Sequence, residues 1–211
     1  MHRFSSSIHS HNKNIMSSSI NFSILATFIL LSLLFFLPRT IIATLEPNSP
    51  KLLKNACTGY TEGWNSSFCL EIMKSHPQIV LAKDLLHLTL SIIETGLINA
   101  IKTQIYIEEN RKENIQESRR ALDQCHNLYD HIIGVYKGAL IHVKKQKLYD
   151  IAGAEFSMAA NNAEYCENWL NIYDTIDADI SSGNQIIKYL SLSGYNAVND
   201  LMITDWITKR M

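Results

Sequence analysis

The chain has 211 residues, with 19 basic and 20 acidic side chains and a formal net charge of −1. This balance excludes a strongly basic nucleic-acid-binding protein, and the ordinary apolar content excludes a disordered chain. The length suits one well-buried core, or one core and a leader.

An apolar run near the N-terminus predicts export. Ile24–Leu37 is almost unbroken apolar sequence, preceded by Arg3 and Lys13 and by no acid, and Ala43 follows soon after it. A basic flank, a short apolar run and a small residue are the parts of a secretory signal peptide. We therefore predict that residues 1–43 are a signal peptide.

The remainder, residues 44–211, is predicted to be one secreted, extracellular domain. Removing the leader takes away three basic side chains and no acid, so 16 basic residues face 20 acidic ones, a net charge of −4. That charge argues against nucleic acid as the partner. The alternative is an uncleaved membrane anchor over Ile20–Leu37, which is at the short end for a transmembrane span.

All the cysteines lie in the predicted domain, and they are Cys57, Cys69, Cys125 and Cys166. An even number of cysteines in an exported protein indicates disulfides, and four cysteines allow three pairings. Neighbours in sequence suggest Cys57 with Cys69 and Cys125 with Cys166. The alternative for Cys125 and Cys166 is two free buried thiols, which are common for this residue type.

The first part of the domain, residues 44–76, is predicted to be a small helical hairpin arm. Ser49 followed by Pro50 is typical of a helix start, and a second short helix is predicted from Cys69 to Ser75. Such helices are too short to be stable alone. The turn between them carries Asn65-Ser66-Ser67, an N-glycosylation sequence, so Asn65 is a predicted glycan acceptor.

Four long amphipathic helices are predicted over residues 77–211. The first begins at Pro77, the second runs from about Gln116 to Lys144, and the third from about Leu148 to Asp174. The fourth is predicted to begin at one of three caps, Asp179, Ser181 or Ser182. The apolar stripe of the first helix comprises Leu86, Leu90, Ile93, Leu97, Ile101 and Ile105, widened by Leu81, Leu85, Leu88 and Ile92. The stripe of the fourth comprises Ile187, Leu190, Gly194, Ala197 and Leu201.

The second and third of these helices have the most regular period. A heptad seam on the second comprises Ala121, Cys125, Leu128, Ile132, Val135 and Ala139. A second row, repeating every seven residues, comprises Leu122, Tyr129, Tyr136 and Val143. The corresponding row on the third comprises Ala152, Ala159, Cys166 and Tyr173. Cys125 and Cys166 are therefore expected to point inward from neighbouring helices, where a disulfide can join them.

No segment of the predicted domain has the pattern of a strand. Four long amphipathic helices with short polar connections fold most simply as an up-down-up-down bundle. We therefore predict an all-α fold, a four-helix bundle with the helical hairpin arm at its N-terminus.

No catalytic or metal-binding motif is present in the predicted domain. Its histidines form no His-Glu-x-x-His pair, and there is no Gly-rich phosphate loop or Gly-x-Ser-x-Gly elbow. We expect no catalytic residue, metal, cofactor or small-molecule substrate, and no enzyme activity. A carrier of apolar ligands is disfavoured because the tight heptads and the alanines indicate a filled core.

Short segments around the cysteines form a specific set. They are Cys57-Thr58 with Tyr60, Phe68-Cys69, Ala121-Leu122-Asp123-Gln124-Cys125 with Leu128-Tyr129, and Tyr149-Asp150 with Ser157-Met158-Ala159-Ala160 ahead of Cys166. Together these segments resemble the plant invertase and pectin methylesterase inhibitors, over essentially the whole predicted domain.

The resemblance implies a hairpin arm on a four-helix bundle, with disulfides joining the first cysteine to the second and the third to the fourth. It also implies a non-catalytic protein of the apoplast, without a membrane contact once the signal is cleaved. Such a protein docks on pectin methylesterase or acid invertase and blocks the active-site cleft. The alternative is a non-inhibitory structural or signalling bundle, secreted or membrane-tethered.

Partner contacts are expected at Lys144, Lys147 and Tyr149, in the connection between the second and third long helices. The alternative is that these residues contact no partner, the lysines being solvated charges and the tyrosine a half-buried ring. Several invertase inhibitors carry Pro-Lys-Phe before the third bundle helix, whereas this chain has Lys147-Leu148-Tyr149. This departure removes one argument for invertase as the target without establishing pectin methylesterase.

Overall fold

Helices form nearly all of the part of the chain that this computed structural model describes, which is residues 49–59, 64–113 and 116–211. They are α1 (Ser49–Ala56), α2 (Ser66–Lys74), α3 (Pro77–Val80), α4 (Leu85–Glu113), α5 (Gln116–Ile141), a π-helical turn (His142–Gln146), α6 (Tyr149–Ile172) and α7 (Ala178–Thr208). No strand occurs within these ranges, and the predicted all-α fold is confirmed. The predicted signal peptide, residues 1–43, lies outside the described residues.

The four long helices α4 to α7 each pack against the next along the chain, and α4 also packs against α7. Neighbours run in opposite directions. Near the start of α5, Cys125 is bonded to Cys166 late in α6, whereas His142 after α5 contacts Glu155 early in α6. The other neighbouring helices are antiparallel in the same way, because a residue later in one helix contacts a residue earlier in the other. The contacting pairs are Gln104–Asp130 and Arg111–Asp123 between α4 and α5, Glu164–Lys188 and Glu167–Asn184 between α6 and α7, and Thr103–Gly183 and Tyr106–Asp177 between α4 and α7.

The centre of the bundle is filled by the second row of α5, which continues into the π-helical turn at Val143. Its members are at most 1% exposed: Leu122, Tyr129, Tyr136 and Val143. The hydroxyl of Tyr129 donates to Asn184 Oδ1 at 2.8 Å, and the Tyr136 hydroxyl pairs with Ser191 Oγ at 2.7 Å. Burial raises the pKa of both phenols far above the ordinary value of 10.0. Because each buried hydroxyl has a partner, two large aromatic side chains fill the core without an unsatisfied polar group.

The predicted apolar stripe of α4 is wrong in part. Leu81, Leu86, Ile101 and Ile105 are exposed, and the buried positions include the small polar residues Thr89, Ser91 and Thr95. The hydroxyls of Thr89 and Thr95 donate to carbonyls one turn earlier, at 2.8 and 2.6 Å, so they can be buried within the helix. A Cβ on Gly96 would collide with the Tyr136 ring. Small side chains on α4 thus make room for the rings of α5.

The start of α7 also differs from the prediction. The cap is Asp177, whose Oδ1 accepts hydrogen bonds from the N–H groups of Asp179 and Ile180 at 3.0 Å each. The predicted caps lie inside the helix, and Ser181 donates instead to Glu167 of α6. Several Asp and Ser residues in succession are all good N-cap types, so the sequence alone does not place the first turn.

The arm is joined by its predicted disulfide, Cys57–Cys69, and packs against α7. Ser193 Oγ of α7 lies 3.1 Å from the Cys69 sulfur. The side-chain amide of Asn196 donates to the carbonyls of Ala56 and Thr58, at 2.9 and 2.8 Å. These polar contacts explain how two helices of fewer than ten residues hold a fixed place on the bundle.

One stretch of α4, Leu85–Lys112, is long and apolar enough to cross a bilayer by length and composition alone. Of its most apolar window, 44% is buried inside the bundle. The core helix of a globular protein meets the same criterion.

Acidification is expected to destabilise the protein through His76, the residue before α3. Burial, with a smaller contribution from Lys102, lowers the pKa of His76 below its ordinary 6.5. The unfolded chain therefore takes up this proton at a higher pH than the folded chain. The stability contributed by neutral His76 is complete above pH 6.5 and is lost as the pH falls through the folded pKa.

Urea unfolding of His76→Gln at neutral and acidic pH tests this expectation. The loss of unfolding free energy on acidification should be smaller than in the unsubstituted protein. The exposed His131 supplies the matched control, and His131→Gln should keep the full pH dependence. Equal pH dependence in His76→Gln and the unsubstituted protein would rule His76 out.

Candidate functional site

The backbone between α5 and α6 departs twice from α-helical geometry. His142–Gln146 form the π-helical turn, and Lys147 has φ 54° and ψ 34°, in the left-handed region. Left-handed conformations are uncommon for residues with a side chain, and π-helical turns are frequent at functional sites. The N–H of Leu148 donates to the carbonyl of His142 at 3.0 Å. The connection is therefore closed by its own backbone hydrogen bonds.

Three lysines of this connection, Lys144, Lys145 and Lys147, lie exposed between two buried anchors. The anchors are Val143, 1% exposed, and Tyr149, 8% exposed. None of the three lysines forms an ion pair with any residue that the structure describes. The connection therefore presents a local excess of positive charge on a chain whose acids outnumber its bases.

One acidic side chain close to the connection already has a partner. Glu155 of α6 lies 2.9 Å from Nδ1 of His142, and both side chains are mostly buried. A Cβ on Gly138 would collide with the Glu155 carboxylate, so the glycine admits that carboxylate to the surface of α5. This pair fastens the end of α5 to α6, and it engages the Glu155 carboxylate with His142 rather than with a lysine of the connection.

Tyr149, predicted as a partner contact, lies mostly inside the protein. Burial raises the pKa of its phenol, the Asp205 carboxylate raises it further, and Lys209 opposes them. Its neighbours place the connection against the last turns of α7. Of the three predicted contact residues, Lys144 and Lys147 are exposed, while Tyr149 offers little surface to a partner.

An exposed aromatic residue near this end of the bundle was not predicted from the sequence. Trp206, in the last turns of α7, is 53% exposed, and the guanidinium of Arg210 lies 3.7 Å from the centre of its ring. Leu148 is exposed in the connection itself. Tryptophan and arginine are the residue types that most often dominate binding energy at interfaces. We call Lys144, Lys145, Lys147, Leu148 and Trp206 the connection surface.

The sequence did contain a signal for Trp206. Apolar residues continue beyond Leu201, the last position of the predicted stripe, and they are Met202, Ile203, Trp206 and Ile207. They occupy more of the helix circumference than one buried stripe needs. Apolar residues all around an exposed helix end indicate that some of them face solvent or a partner.

The other polar side chains that the structure describes do not form a second candidate site. Within 49–59, 64–113 and 116–211, no three His, Cys, Asp or Glu side chains come together as a metal site would require. A groove of 260 Å³ between α6 and α7 is lined by Glu164, Glu167, Asn184 and Lys188, among others. This polar lining does not suit an apolar ligand.

The likeness to known proteins is carried by most of the arm and bundle. A family model described as plant invertase/pectin methylesterase inhibitor matches residues 51–194. The chain belongs to this family. The match extends from α1 into α7 and so includes all four cysteines, both disulfides and the connection between α5 and α6.

Two solved structures share the fold of this inhibitor-family chain. One is mutant form A of a pectin methylesterase inhibitor from Arabidopsis, with a TM-score of 0.61 and 17% identity, covering 73% of this chain and 97% of that chain. The other is a pectin methylesterase inhibitor from Arabidopsis thaliana, with a TM-score of 0.54 and 18% identity, covering 71% and 95%. No curated protein sequence matches the chain. At these identities the likeness concerns the fold.

Proposed function

We propose that the chain is a secreted protein inhibitor of a plant pectin methylesterase, which it blocks by covering the active-site cleft. The observation that carries the proposal is the family match over residues 51–194. A second observation supports it: the connection surface carries three exposed lysines on a backbone turn held by its own hydrogen bonds. Such a protein acts by binding rather than by chemistry, so we propose no enzyme activity, cofactor or small-molecule substrate for it.

We propose the connection surface as the part that meets the enzyme. The exposed indole of Trp206 and the side chain of Leu148 supply apolar area that a partner can bury. The ammonium groups of Lys144 and Lys147, which form no ion pair with a described residue, would steer an acidic partner surface and set the orientation of the complex. We infer that the opposing enzyme surface is acidic.

Acid invertase is the second candidate target, because the family description names both enzymes. The segment Lys147-Leu148-Tyr149 stands where several invertase inhibitors carry Pro-Lys-Phe, which removes one argument for invertase without establishing pectin methylesterase. Titration of the purified protein against initial rates of both enzymes tests the assignment. Loss of the esterase rate alone supports it, loss of the invertase rate alone moves the target to invertase, and no loss in either refutes inhibition.

We also propose that residues 1–43 are removed as a signal peptide. The product, residues 44–211, would be the inhibitor domain, with the arm over 44–76 and the bundle over 77–211, free of the membrane in the apoplast. The intact mass of the protein recovered from the medium tests this proposal. A mass that includes the apolar leader, or retention of the protein in membranes, would favour the tethered bundle instead.

Charge reversal on the connection surface is expected to weaken inhibition. Lys144→Glu with Lys147→Glu places two acids against the partner surface, and like charges in contact cost several kcal/mol. We expect the inhibition constant for pectin methylesterase to rise at least about tenfold, the equivalent of 1.4 kcal/mol. The measurement is a rate titration at fixed ionic strength.

A matched control is available on the arm. Lys51 and Lys54 are exposed on α1, and Lys51→Glu with Lys54→Glu makes the same change in net charge. This control should inhibit as strongly as the unsubstituted protein. If both double variants inhibit equally well, the connection surface is not the contact, whatever the target enzyme.

A further inference from the structure

Asn65 lies exposed on the arm, immediately before α2. Its side-chain oxygen Oδ1 accepts a hydrogen bond from the Phe68 N–H at 3.0 Å, and its backbone is extended, with φ −112° and ψ 96°. The side-chain nitrogen Nδ2 has no partner among the described residues. The oxygen of this amide therefore caps the helix, while the nitrogen remains available.

The two serines that follow Asn65 differ in their contacts. Ser66 Oγ accepts a hydrogen bond from the Trp64 indole at 3.1 Å. Ser67 is exposed, and its hydroxyl makes no hydrogen bond with any described residue. In the sequence Asn-x-Ser, the first and third residues are therefore exposed, and no described residue engages the amide nitrogen of the first or the hydroxyl of the third.

We propose that Asn65 carries an N-linked oligosaccharide. The donor is a lipid-diphosphate-linked oligosaccharide of the secretory pathway. Nδ2 forms a bond to the anomeric carbon of the sugar, the bond from that carbon to the diphosphate oxygen breaks, and the lipid diphosphate leaves with the electron pair. Nδ2 loses one proton. The product keeps its carbonyl oxygen, so the glycosylated side chain can still cap α2.

The two disulfides of the described residues support this modification. Both Cys57–Cys69 and Cys125–Cys166 are formed, and disulfides form in the oxidising secretory compartments where N-linked sugars are added. The disulfides indicate this compartment whatever the fate of the leader, and glycosylation of Asn65 does not rest on the proposed inhibition.

The position on the arm leaves the connection surface uncovered. The residues beside Asn65 pack on Tyr189, because the rings of Trp64 and Phe68 lie 4.8 and 5.0 Å from it. Tyr149 in the connection lies near Asp205, which is about 24 Å farther along α7 at 1.5 Å per residue. A glycan on Asn65 therefore covers a different part of the bundle, and we expect inhibition to be the same with and without it.

Three variants separate modification from folding. Asn65→Asp keeps a capping oxygen and removes Nδ2, since aspartate is as good an N-cap as asparagine. Ser67→Ala keeps the Asn65 cap and removes the sequon hydroxyl. Ser66→Ala retains the sequon and removes only an acceptor for Trp64. All three should therefore fold, which circular dichroism of the secreted protein checks.

The test is glycopeptide mapping by mass spectrometry of the full chain secreted from plant cells, before and after treatment with a peptide-N-glycosidase active on plant glycans. We expect hexosamine-linked Asn65 in the unsubstituted protein and in Ser66→Ala, and none in Asn65→Asp or Ser67→Ala. Mapping by peptide separates this site from Asn21-Phe22-Ser23 in the leader. An unmodified Asn65 peptide in the secreted unsubstituted protein, or modification that persists in Ser67→Ala, would overturn the proposal.

Discussion

Replacing Cys125 and Cys166 together by alanine is expected to lower the free energy of unfolding by about 4 kcal/mol. The disulfide closes a loop of 41 residues, and the loss of loop-closure entropy in the unfolded chain gives this magnitude. Both cysteines are fully buried where α5 meets α6, so the substitution also removes packed sulfur atoms. Against a total stability of ~5–15 kcal/mol for a domain, the loss is large.

Thermal unfolding measures this loss. For a domain of this size, 4 kcal/mol corresponds to a fall in Tm of about 8 to 16 °C. The matched control is Cys57→Ala with Cys69→Ala, whose loop of 12 residues predicts a smaller loss of about 3 kcal/mol. The Cys57–Cys69 disulfide lies in the arm, so its removal should destabilise the arm rather than the contact between α5 and α6. An unchanged Tm after removal of the Cys125–Cys166 disulfide would contradict the assigned role of the bridge in holding α5 and α6 together.

Phe156→Ala is the second substitution with a large expected effect, a loss of about 3–5 kcal/mol of unfolding free energy. Phe156 is 1% exposed and meets the ring of Tyr136 edge-on, with ring centres 6.0 Å apart and planes at 86°. A Cβ on Gly194 would collide with the Phe156 ring, so the ring occupies the space that this glycine leaves on α7. Truncation opens a cavity between three helices.

A double-mutant cycle with Gly194→Ala tests the proposed packing. Alone, Gly194→Ala should destabilise by about 1–3 kcal/mol, because the new methyl group meets a ring that cannot move aside. Combined with Phe156→Ala, it should cost less, because the methyl group enters the vacated space. Urea unfolding of the four proteins gives the coupling. Strictly additive losses would show that the ring and the glycine are not in the predicted contact.

The all-α fold followed from the sequence most securely where apolar periodicity was regular. The second row of α5 is buried as predicted, and so are Ile187, Leu190 and Ala197 of α7. The Cys125–Cys166 disulfide also followed, because the heptad phase brings these cysteines to the inner sides of neighbouring helices. These features depend on spacing along one helix, which a sequence displays directly.

The buried side of α4 could not be predicted in the same way. Its leucines and isoleucines suggested one side, but burial depends on the rings of Tyr129 and Tyr136 brought by another helix. Thr89 and Thr95 satisfy their own hydroxyls along the helix and become suitable core residues. A polar side chain that closes a local hydrogen bond does not show in a hydropathy pattern.

The connection between α5 and α6 was predicted as a break but not as a π-helical turn. Lys144 and Lys147 are exposed, in line with their charge. Tyr149 is mostly buried, which raises the pKa of its phenol, and Asp205 of α7 lies close enough to raise it further. Trp206 escaped the prediction because the predicted stripe of α7 ended at Leu201, and the apolar residues beyond it were not interpreted as an exposed surface.

The measurement that most directly tests the central claim is the rate of a plant pectin methylesterase at increasing pectin concentration, with and without the secreted chain. If the chain covers the active-site cleft, inhibitor and pectin exclude each other. We then expect the apparent KM to rise with inhibitor while kcat at saturating pectin stays unchanged. A rate that is unaffected by excess inhibitor from acidic to neutral pH, or a fall in kcat at unchanged KM, would contradict blocking of the cleft.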